Sequence, residues 1–228
     1  MPKLPVPLLI RAPLFDANTF TWPPSDRILI LGQTGAGKSW LGKRLLDQVY
    51  GKVRIVVFQS KPRVGVLDKL AVRRLKTLKG LPAAINKEPM VILKPDPVLA
   101  DDRGFTEDFS EMMLYERHPL IVYIDEEASF TGFSPLPAKK FAALVTKGRE
   151  LDKGIIMAAQ EPAYLPRMVY AESQIIFRMY VHGLTNLKAI RDKLPAPLAD
   201  TPLPPGAHAF VMWDIRDRNR AYAYRKVV

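Results

Sequence analysis

Residues 27–40 read RILILGQTGAGKSW. The segment begins with an apolar run, RILIL, which predicts a buried β-strand. Residues 32–39, GQTGAGKS, then match the pattern G-x-x-x-x-G-K-[ST] of a phosphate-binding loop, and a helix is expected from Lys38 to Tyr50. A strand, a glycine-rich turn and a helix in this order are the context that the motif requires, so an ordinary glycine-rich turn is the weaker interpretation.

The chemistry of phosphate binding explains the spacing within this loop. Its glycines let backbone N–H groups turn inward towards phosphate oxygens, and the following helix adds the positive end of its dipole. We expect Lys38 to reach the β- and γ-phosphates of ATP and Ser39 to offer its hydroxyl to Mg²⁺. The predicted nucleotide-binding residues are Gly32, Gln33, Thr34, Gly35, Ala36, Gly37, Lys38 and Ser39.

A second part of the same site is expected at residues 120–127, LIVYIDEE, where an apolar strand ends in acidic residues. Asp125 is predicted to hold the Mg²⁺, directly or through water, and Glu126 to orient and deprotonate the attacking water. Glu127 is the weaker candidate for this base because it lies one residue late in the pattern. The alternative is that these acids merely cap the end of a strand in solvent.

Two further candidates flank the apolar strand GIIMAA at 154–159. The strand is expected beside the one that ends in Asp125, which would bring Gln160 close to the γ-phosphate, where an amide can bond the attacking water or the phosphate. Arg149, upstream of the strand, could neutralise transition-state charge at the ATP of a neighbouring subunit. The plainer interpretations are a polar residue at a strand exit and a solvated surface charge.

Apolar segments alternate with helical ones along the chain, which predicts an α/β domain whose mostly parallel sheet is covered on both faces by helices. Residues 1–25 are predicted to be a Pro-rich N-terminal arm laid over the core, and 26–228 a single ATPase domain. Thr106 is the expected N-cap of a helix. Further strands are expected at 53–58, 90–94, 120–124, 175–181 and 208–213, with the tail AYAYRKVV as the return strand of a C-terminal hairpin. Further helices are expected at 65–79, 106–117, 137–150 and 185–194.

Composition and charge narrow the class of protein. The 228 residues are 48% hydrophobic and contain no cysteine, which suits one core without disulfides or a cysteine metal site. An apolar run of about 18 residues and a signal-peptide pattern are both missing, which predicts a cytoplasmic protein without a membrane span of its own. The net charge of +11 and the pI near 9.8 favour a polyanionic partner over a merely basic surface.

Two basic segments are candidate DNA contacts. In the predicted helix 65–79, Lys69, Arg73 and Lys76 follow an i, i+4, i+7 spacing and would form a stripe that tracks phosphates without reading sequence. The alternative is a solvated basic helix. The turn IRDRNR offers a second set of cations, Arg216, Arg218 and Arg220.

The order of these motifs resembles that of the FtsK–HerA superfamily of DNA-pumping ATPases. The resemblance covers about residues 26–214 and is carried by GQTGAGKS, VYIDEE, GR-x4-GIIMAAQEP and QIIFRMYVHGLTNLKAIRD. The members of similar size are the genome-packaging ATPases of tailless icosahedral viruses with an internal membrane. The block of arginine, strand and glutamine points to this superfamily, whereas the phosphate-binding loop is common to all P-loop NTPases.

The resemblance implies a RecA-like fold and a homo-oligomeric ring, often a hexamer, with Mg-ATP at subunit interfaces and double-stranded DNA threaded through the middle. It implies that Asp125 and Glu126 are the Walker B pair and that Gln160 is the sensor. Arg149 is then the arginine finger that acts in trans, with Arg178 as the other candidate. A tether to a capsid or a membrane, and a location in host cytoplasm or virion, belong to the same expectation.

The function favoured by these observations is a viral genome-packaging motor that moves double-stranded DNA by hydrolysing ATP. A plasmid-transfer or filamentous-phage-assembly ATPase is the alternative within the same class. From other classes, a small-molecule P-loop kinase and a slow nucleotide-dependent switch stay open. The pairing of Glu126 with Gln160 suits water as the acceptor and speaks against a kinase.

Overall fold

A computed structural model describes residues 15–16, 19–60, 66–126, 138–206, 209–216 and 221–225. The strands within these residues are β1 Arg27–Leu31, β2 Arg54–Gln59, β3 Arg73–Leu75, β4 Met90–Leu93, β5 Leu120–Asp125, β6 Lys153–Ala159, β7 Ile175–Arg178, β8 Ala209–Asp214 and β9 Ala221–Arg225. They form one sheet in the order β3-β4-β2-β5-β6-β1-β7-β8-β9. Neighbouring strands are parallel except in the pairs β7–β8 and β8–β9, which are antiparallel.

The α-helices of the described residues are α1 Lys38–Val49, α2 Leu81–Lys87, α3 Pro97–Ala100, α4 Arg103–Tyr115, α5 Lys139–Lys147, α6 Arg167–Glu172, α7 Leu184–Lys193 and α8 Ala196–Asp200. Short 3-10 turns lie at Leu67–Lys69, Gly148–Leu151 and Pro162–Tyr164. The predicted α/β sheet with a C-terminal hairpin is confirmed.

The core lies in two layers, one on each face of the sheet. Alternate residues of β1 belong to different layers, with Ile28 and Ile30 on one face and Leu29 and Leu31 on the other. Helix α1 supplies the first layer, and α2, α4, α5, α6 and α7 supply the second. Strands β1, β5 and β6 are buried along their whole length, which is why they read as continuous apolar runs.

The described part of the N-terminal arm packs on the same face as α1. Phe15 is buried, with ring centroids 5.2 Å from Phe210 and 6.0 Å from Phe177. The indole N–H of Trp22 donates to the side-chain oxygen of Gln48 in α1 at 2.8 Å. These contacts extend the core of this face beyond α1.

The predicted basic helix at 65–79 is wrong. Where the structure describes this segment, a 3-10 turn at Leu67–Lys69 is followed by β3, an edge strand that pairs with β4. The Arg74 guanidinium donates to the backbone oxygens of Asp68 and Leu70, at 2.5 and 2.7 Å, and so stabilises the non-helical path. The Asp68 carboxylate also accepts from Lys94 and Gln59. The pairing of β3 with β4 and these polar contacts together outweigh the helix-like spacing of the leucines in residues 67–78.

Two helix boundaries also differ from the prediction. Helix α4 begins three residues early because Asp102 is its N-cap, with a side-chain oxygen 2.7 Å from the Phe105 N–H. Thr106 lies inside the helix, where its hydroxyl donates to the Arg103 carbonyl. Helix α5 ends at Lys147, so Arg149 lies in the 3-10 turn that follows.

Candidate nucleotide-binding and hydrolysis site

The predicted site residues meet at the carboxyl edge of three adjacent strands. Strand β6 lies between β1 and β5, with Leu31 level with Ala159 and Asp125 level with Ala158. The loop after β1, Gln160 after β6 and Glu126 after β5 therefore leave the sheet side by side. Since strands are about 4.8 Å apart, the ends of β1 and β5 are separated by roughly 10 Å. That distance suits a triphosphate and its metal ion.

The loop after β1 has the backbone of a phosphate cradle. Gly35 and Gly37 have φ values of 81° and 108°, which glycine tolerates and most residues do not. No side chain caps the N-terminus of α1, so its dipole faces the loop. The buried Lys38 ammonium donates to the carbonyls of Gly32 at 2.6 Å and Gln33 at 3.1 Å. Lys38 is thus held inside the loop, where a phosphate could replace these carbonyls.

Glu126 is buried and strained. Its φ is 83°, in the left-handed region that non-glycine residues seldom occupy. Such backbone costs about 1–3 kcal/mol and is concentrated at functional sites. The Glu126 carboxylate accepts hydrogen bonds from the Gln160 side-chain amide and from the Gln160 backbone N–H, the latter at 3.3 Å. The side-chain carbonyl oxygen of Gln160 in turn accepts a hydrogen bond from the Thr34 hydroxyl. Together these hydrogen bonds connect the ends of all three strands.

Asp125 and Ser39 fit a Mg²⁺ ion. Asp125 is a buried carboxylate at the last position of β5, and the Ser60 hydroxyl fixes its backbone by donating to its carbonyl at 3.0 Å. Ser39 lies in the first turn of α1. Carboxylate and hydroxyl oxygens beside a triphosphate are the ligands that Mg²⁺ prefers. Glu127 lies outside the described residues.

Comparison with known proteins identifies the fold. No protein-family model matches the chain, and no curated protein sequence matches it. Among solved structures, the genome-packaging NTPase B204 of Sulfolobus turreted icosahedral virus 2, in complex with ATPγS, has a TM-score of 0.75 and 17% identity over 91% of this chain and 100% of its own.

The chain has a RecA-like P-loop NTPase fold.

Two other structures share this fold at lower similarity. The cytoplasmic domain of the Thermomonospora curvata type VII secretion ATPase EccC has a TM-score of 0.59 and 17% identity, over 88% of this chain and 25% of its own. The pCW3 conjugation coupling protein TcpA, with ATPγS, has a TM-score of 0.56 and 14% identity, over 88% and 60%. The RecA-like fold implied by the resemblance to the FtsK–HerA superfamily is therefore confirmed.

Arg149 lies at the opposite edge of this RecA-like sheet. It stands four residues before β6, whose seven residues span about 23 Å. The buried Arg27 guanidinium secures this edge, because it donates to the Val145 carbonyl at 2.7 Å near the end of α5. Burial lowers the pKa of Arg27 to about 10, so it remains charged at neutral pH. Arg149 itself is exposed and so able to meet another molecule.

Arg178, the other candidate finger, is only 3% exposed. Its guanidinium donates to the backbone oxygens of Leu198 and Thr201, at the end of α8. Burial lowers the pKa of Arg178 to about 10. This burial and these contacts favour Arg149 over Arg178 as the arginine that can meet a neighbouring subunit.

The candidate DNA contacts have different surroundings. Lys69, Arg73 and Lys76 are all exposed, but they do not share a helix: Lys69 lies in a 3-10 turn, Arg73 in the edge strand β3 and Lys76 just after that strand. The Arg216 guanidinium donates to both carboxylate oxygens of Asp214 and lies 3.3 Å from the buried Asp26 carboxylate. Burial raises the pKa of Asp26, and the positive charge of Arg216 opposes that shift. Arg218 and Arg220 lie outside the described residues.

Contacts around the P-loop also involve residues that the motifs did not single out. The Gln33 amide bonds the His182 ring, and the Asn186 amide donates to Glu161 at 2.7 Å. His182 lies in the loop after β7 and Asn186 in the first turn of α7, so the segment HGLTN contacts both the P-loop and the residues that follow β6. In the sequence, the only indication of these two residues was their place in QIIFRMYVHGLTNLKAIRD, one of the motifs that carry the family resemblance. Within the described residues, no helix is long and apolar enough to cross a membrane.

Proposed function

We propose that the chain hydrolyses Mg-ATP at the carboxyl edge of β1, β6 and β5. The observation that carries this proposal is Glu126, a buried carboxylate in a strained backbone conformation, bonded to Gln160 at the level of the P-loop. Neither strain nor burial of an acid helps folding, and both suit a base held ready for a ligand. The similarity to NTPases solved with ATP analogues supports the choice of nucleotide.

Each residue has one task in this proposal. The loop 32–39 cradles the phosphates and Lys38 neutralises the β- and γ-oxygens. Ser39 and Asp125 hold Mg²⁺, which when bound offsets charge on the same oxygens. Glu126 accepts the proton of the attacking water, and Gln160 holds the carboxylate and water in line with the γ-phosphorus.

We further propose that the finger comes from a second subunit. Arg149 lies about one strand length from the P-loop of its own chain, too far to contact the same nucleotide. An exposed arginine at that edge can contact the nucleotide of a neighbour if subunits associate head to tail. Such contacts are heterologous and close into a ring when the rotation allows. A homo-oligomeric ring follows from this arrangement, and the resemblance to the FtsK–HerA superfamily gives six as the expected number of subunits.

The work done with ATP is proposed to be movement of double-stranded DNA, in a viral genome-packaging motor with a capsid or membrane-anchored tether. The net charge of +11 suits a polyanion, and the similarity to the B204 packaging NTPase spans nearly the whole of both chains. The exposed Lys69, Arg73 and Lys76 are candidate phosphate contacts, whereas Arg216 is partly neutralised by Asp214 and Asp26. The similarity to TcpA favours a plasmid-transfer ATPase as the second candidate.

The test is the ATPase rate with and without double-stranded DNA, across a range of salt concentrations, with particle size measured in parallel. We expect DNA to raise the rate, the effect to weaken with salt, and activity to accompany an oligomer. Lys38→Ala is the control, because it removes the cation aimed at the phosphates. Turnover equal to wild type in that variant would contradict the site, and a rate that DNA does not change would favour a kinase or a nucleotide switch.

A further inference from the structure

Tyr123 is a buried phenol close to the proposed metal site. It lies in β5 two residues before Asp125 and is fully buried. Because side chains alternate along a strand, Tyr123 and Asp125 point to the same face, the one that α1 covers. Among the described residues, the Tyr123 hydroxyl has no hydrogen-bond partner. A buried hydroxyl without a partner is unfavourable, and phenylalanine would fill the same space without that cost.

A glycine in the P-loop helix makes room for this phenol. A Cβ atom at Gly42 would lie 2.7 Å from the Tyr123 hydroxyl oxygen and 2.8 Å from its Cζ, closer than real contacts. Gly42 is three residues after Ser39, about one helical turn. The hydroxyl therefore lies between the helix that carries Ser39 and the strand that carries Asp125. The two residues that would hold the metal, Ser39 and Asp125, are therefore on the two elements that enclose this hydroxyl.

We propose that Tyr123 is a positioning residue for the Mg²⁺ site, and that its hydroxyl donates a hydrogen bond, through one ordered water, to the Asp125 carboxylate when metal and nucleotide are bound. A tyrosine hydroxyl is protonated at neutral pH and can donate a hydrogen bond. Donors to metal-bound carboxylates orient the ligand and strengthen metal binding.

This inference rests on the proposed Mg²⁺ site, and Tyr123→Phe tests it separately from that site. The control is Tyr170→Phe, which removes another buried hydroxyl, one that donates to the Pro162 carbonyl at 2.7 Å. Binding of a fluorescent, non-hydrolysable ATP analogue is measured in EDTA and then as a function of Mg²⁺ concentration. Thermal unfolding of all three proteins is recorded without ligand.

We expect Tyr123→Phe to bind the analogue in EDTA as wild type does, and to need about tenfold more Mg²⁺ for the half-maximal change in analogue binding, as for the loss of an outer-shell partner of a metal ligand. Its melting temperature without ligand should be unchanged or higher. Tyr170→Phe should melt earlier and keep the wild-type Mg²⁺ dependence. Wild-type Mg²⁺ dependence in Tyr123→Phe, or a failure of this variant to fold, would overturn the inference. Absence of Mg²⁺-dependent binding in wild type would instead contradict the proposed function.

Discussion

The side-chain amide of Gln160 donates a hydrogen bond to the Glu126 carboxylate, across the edge between β6 and β5. The same amide group accepts from the Thr34 hydroxyl of the P-loop. Gln160 therefore connects the proposed base to the P-loop.

Glu126→Gln should keep Mg-ATP binding and lose hydrolysis by about 10²–10⁴-fold, because the amide keeps the shape of the base but cannot accept the proton. The variant should accumulate with ATP bound. Asp125→Asn is the matched change one residue earlier, and it should weaken Mg²⁺ binding instead. Nucleotide binding across Mg²⁺ concentrations, with single-turnover rates, separates the two effects. Identical behaviour of the two variants would refute the division of roles.

Arg149→Ala should keep ATP binding and lose turnover, since arginine fingers supply about 10³–10⁵ in rate. A subunit with Arg149→Ala retains its own Walker residues, and one with Glu126→Gln retains its finger. Mixed rings should therefore recover activity where an intact site meets an intact finger. The measurement is ATPase rate against mixing ratio, after subunit exchange has been demonstrated. No recovery at any ratio would argue against a role in trans.

Arg178→Ala should destabilise the fold, and Arg149→Ala should not. Loss of Arg178 leaves the carbonyls of Leu198 and Thr201 without their donor, and we expect a cost of about 2–4 kcal/mol in the free energy of unfolding. The exposed Arg149 should change stability by less than about 0.5 kcal/mol. Chemical denaturation of both variants provides the comparison. Equal stability losses would mean that the two arginines are wrongly assigned.

Reversal of Lys69, Arg73 and Lys76 to glutamate should weaken DNA binding and flatten its dependence on salt, because fewer counterions are released. A control with the same change in net charge reverses three cations elsewhere that are also exposed, Lys52, Lys87 and Arg103. The slope of log affinity against log salt is measured for both variants and wild type. If both triple variants alter the slope equally, general charge rather than this edge of the sheet accounts for binding.

The sequence was most informative where local patterns coincide with burial. Strands β1, β5 and β6 are almost entirely apolar because both of their faces are covered. The residues proposed to bind and hydrolyse ATP lie at or just after the ends of these strands. The helix at 65–79 could not be excluded from sequence, because its leucine spacing suits a helix. What decides against it is pairing with β4 and the Arg74 contacts, both of which depend on the tertiary structure.

The two candidate arginines show the same limit of prediction from sequence, because what distinguishes them depends on the tertiary structure. Arg149 and Arg178 were both candidates for the finger, Arg149 upstream of the strand GIIMAA and Arg178 inside the predicted strand 175–181. Their difference lies in burial, which arises from α8 folding back over the end of β7. No local pattern around Arg178 predicts that α8 supplies its hydrogen-bond acceptors.

The central claim, that ATP hydrolysis moves double-stranded DNA, is tested most directly by displacement of a third strand from a triplex at the end of a duplex. We expect the wild-type protein to release the third strand only when Mg-ATP is hydrolysed, and Glu126→Gln to bind the duplex without releasing it. DNA-stimulated hydrolysis by wild type without any strand release would contradict the claim.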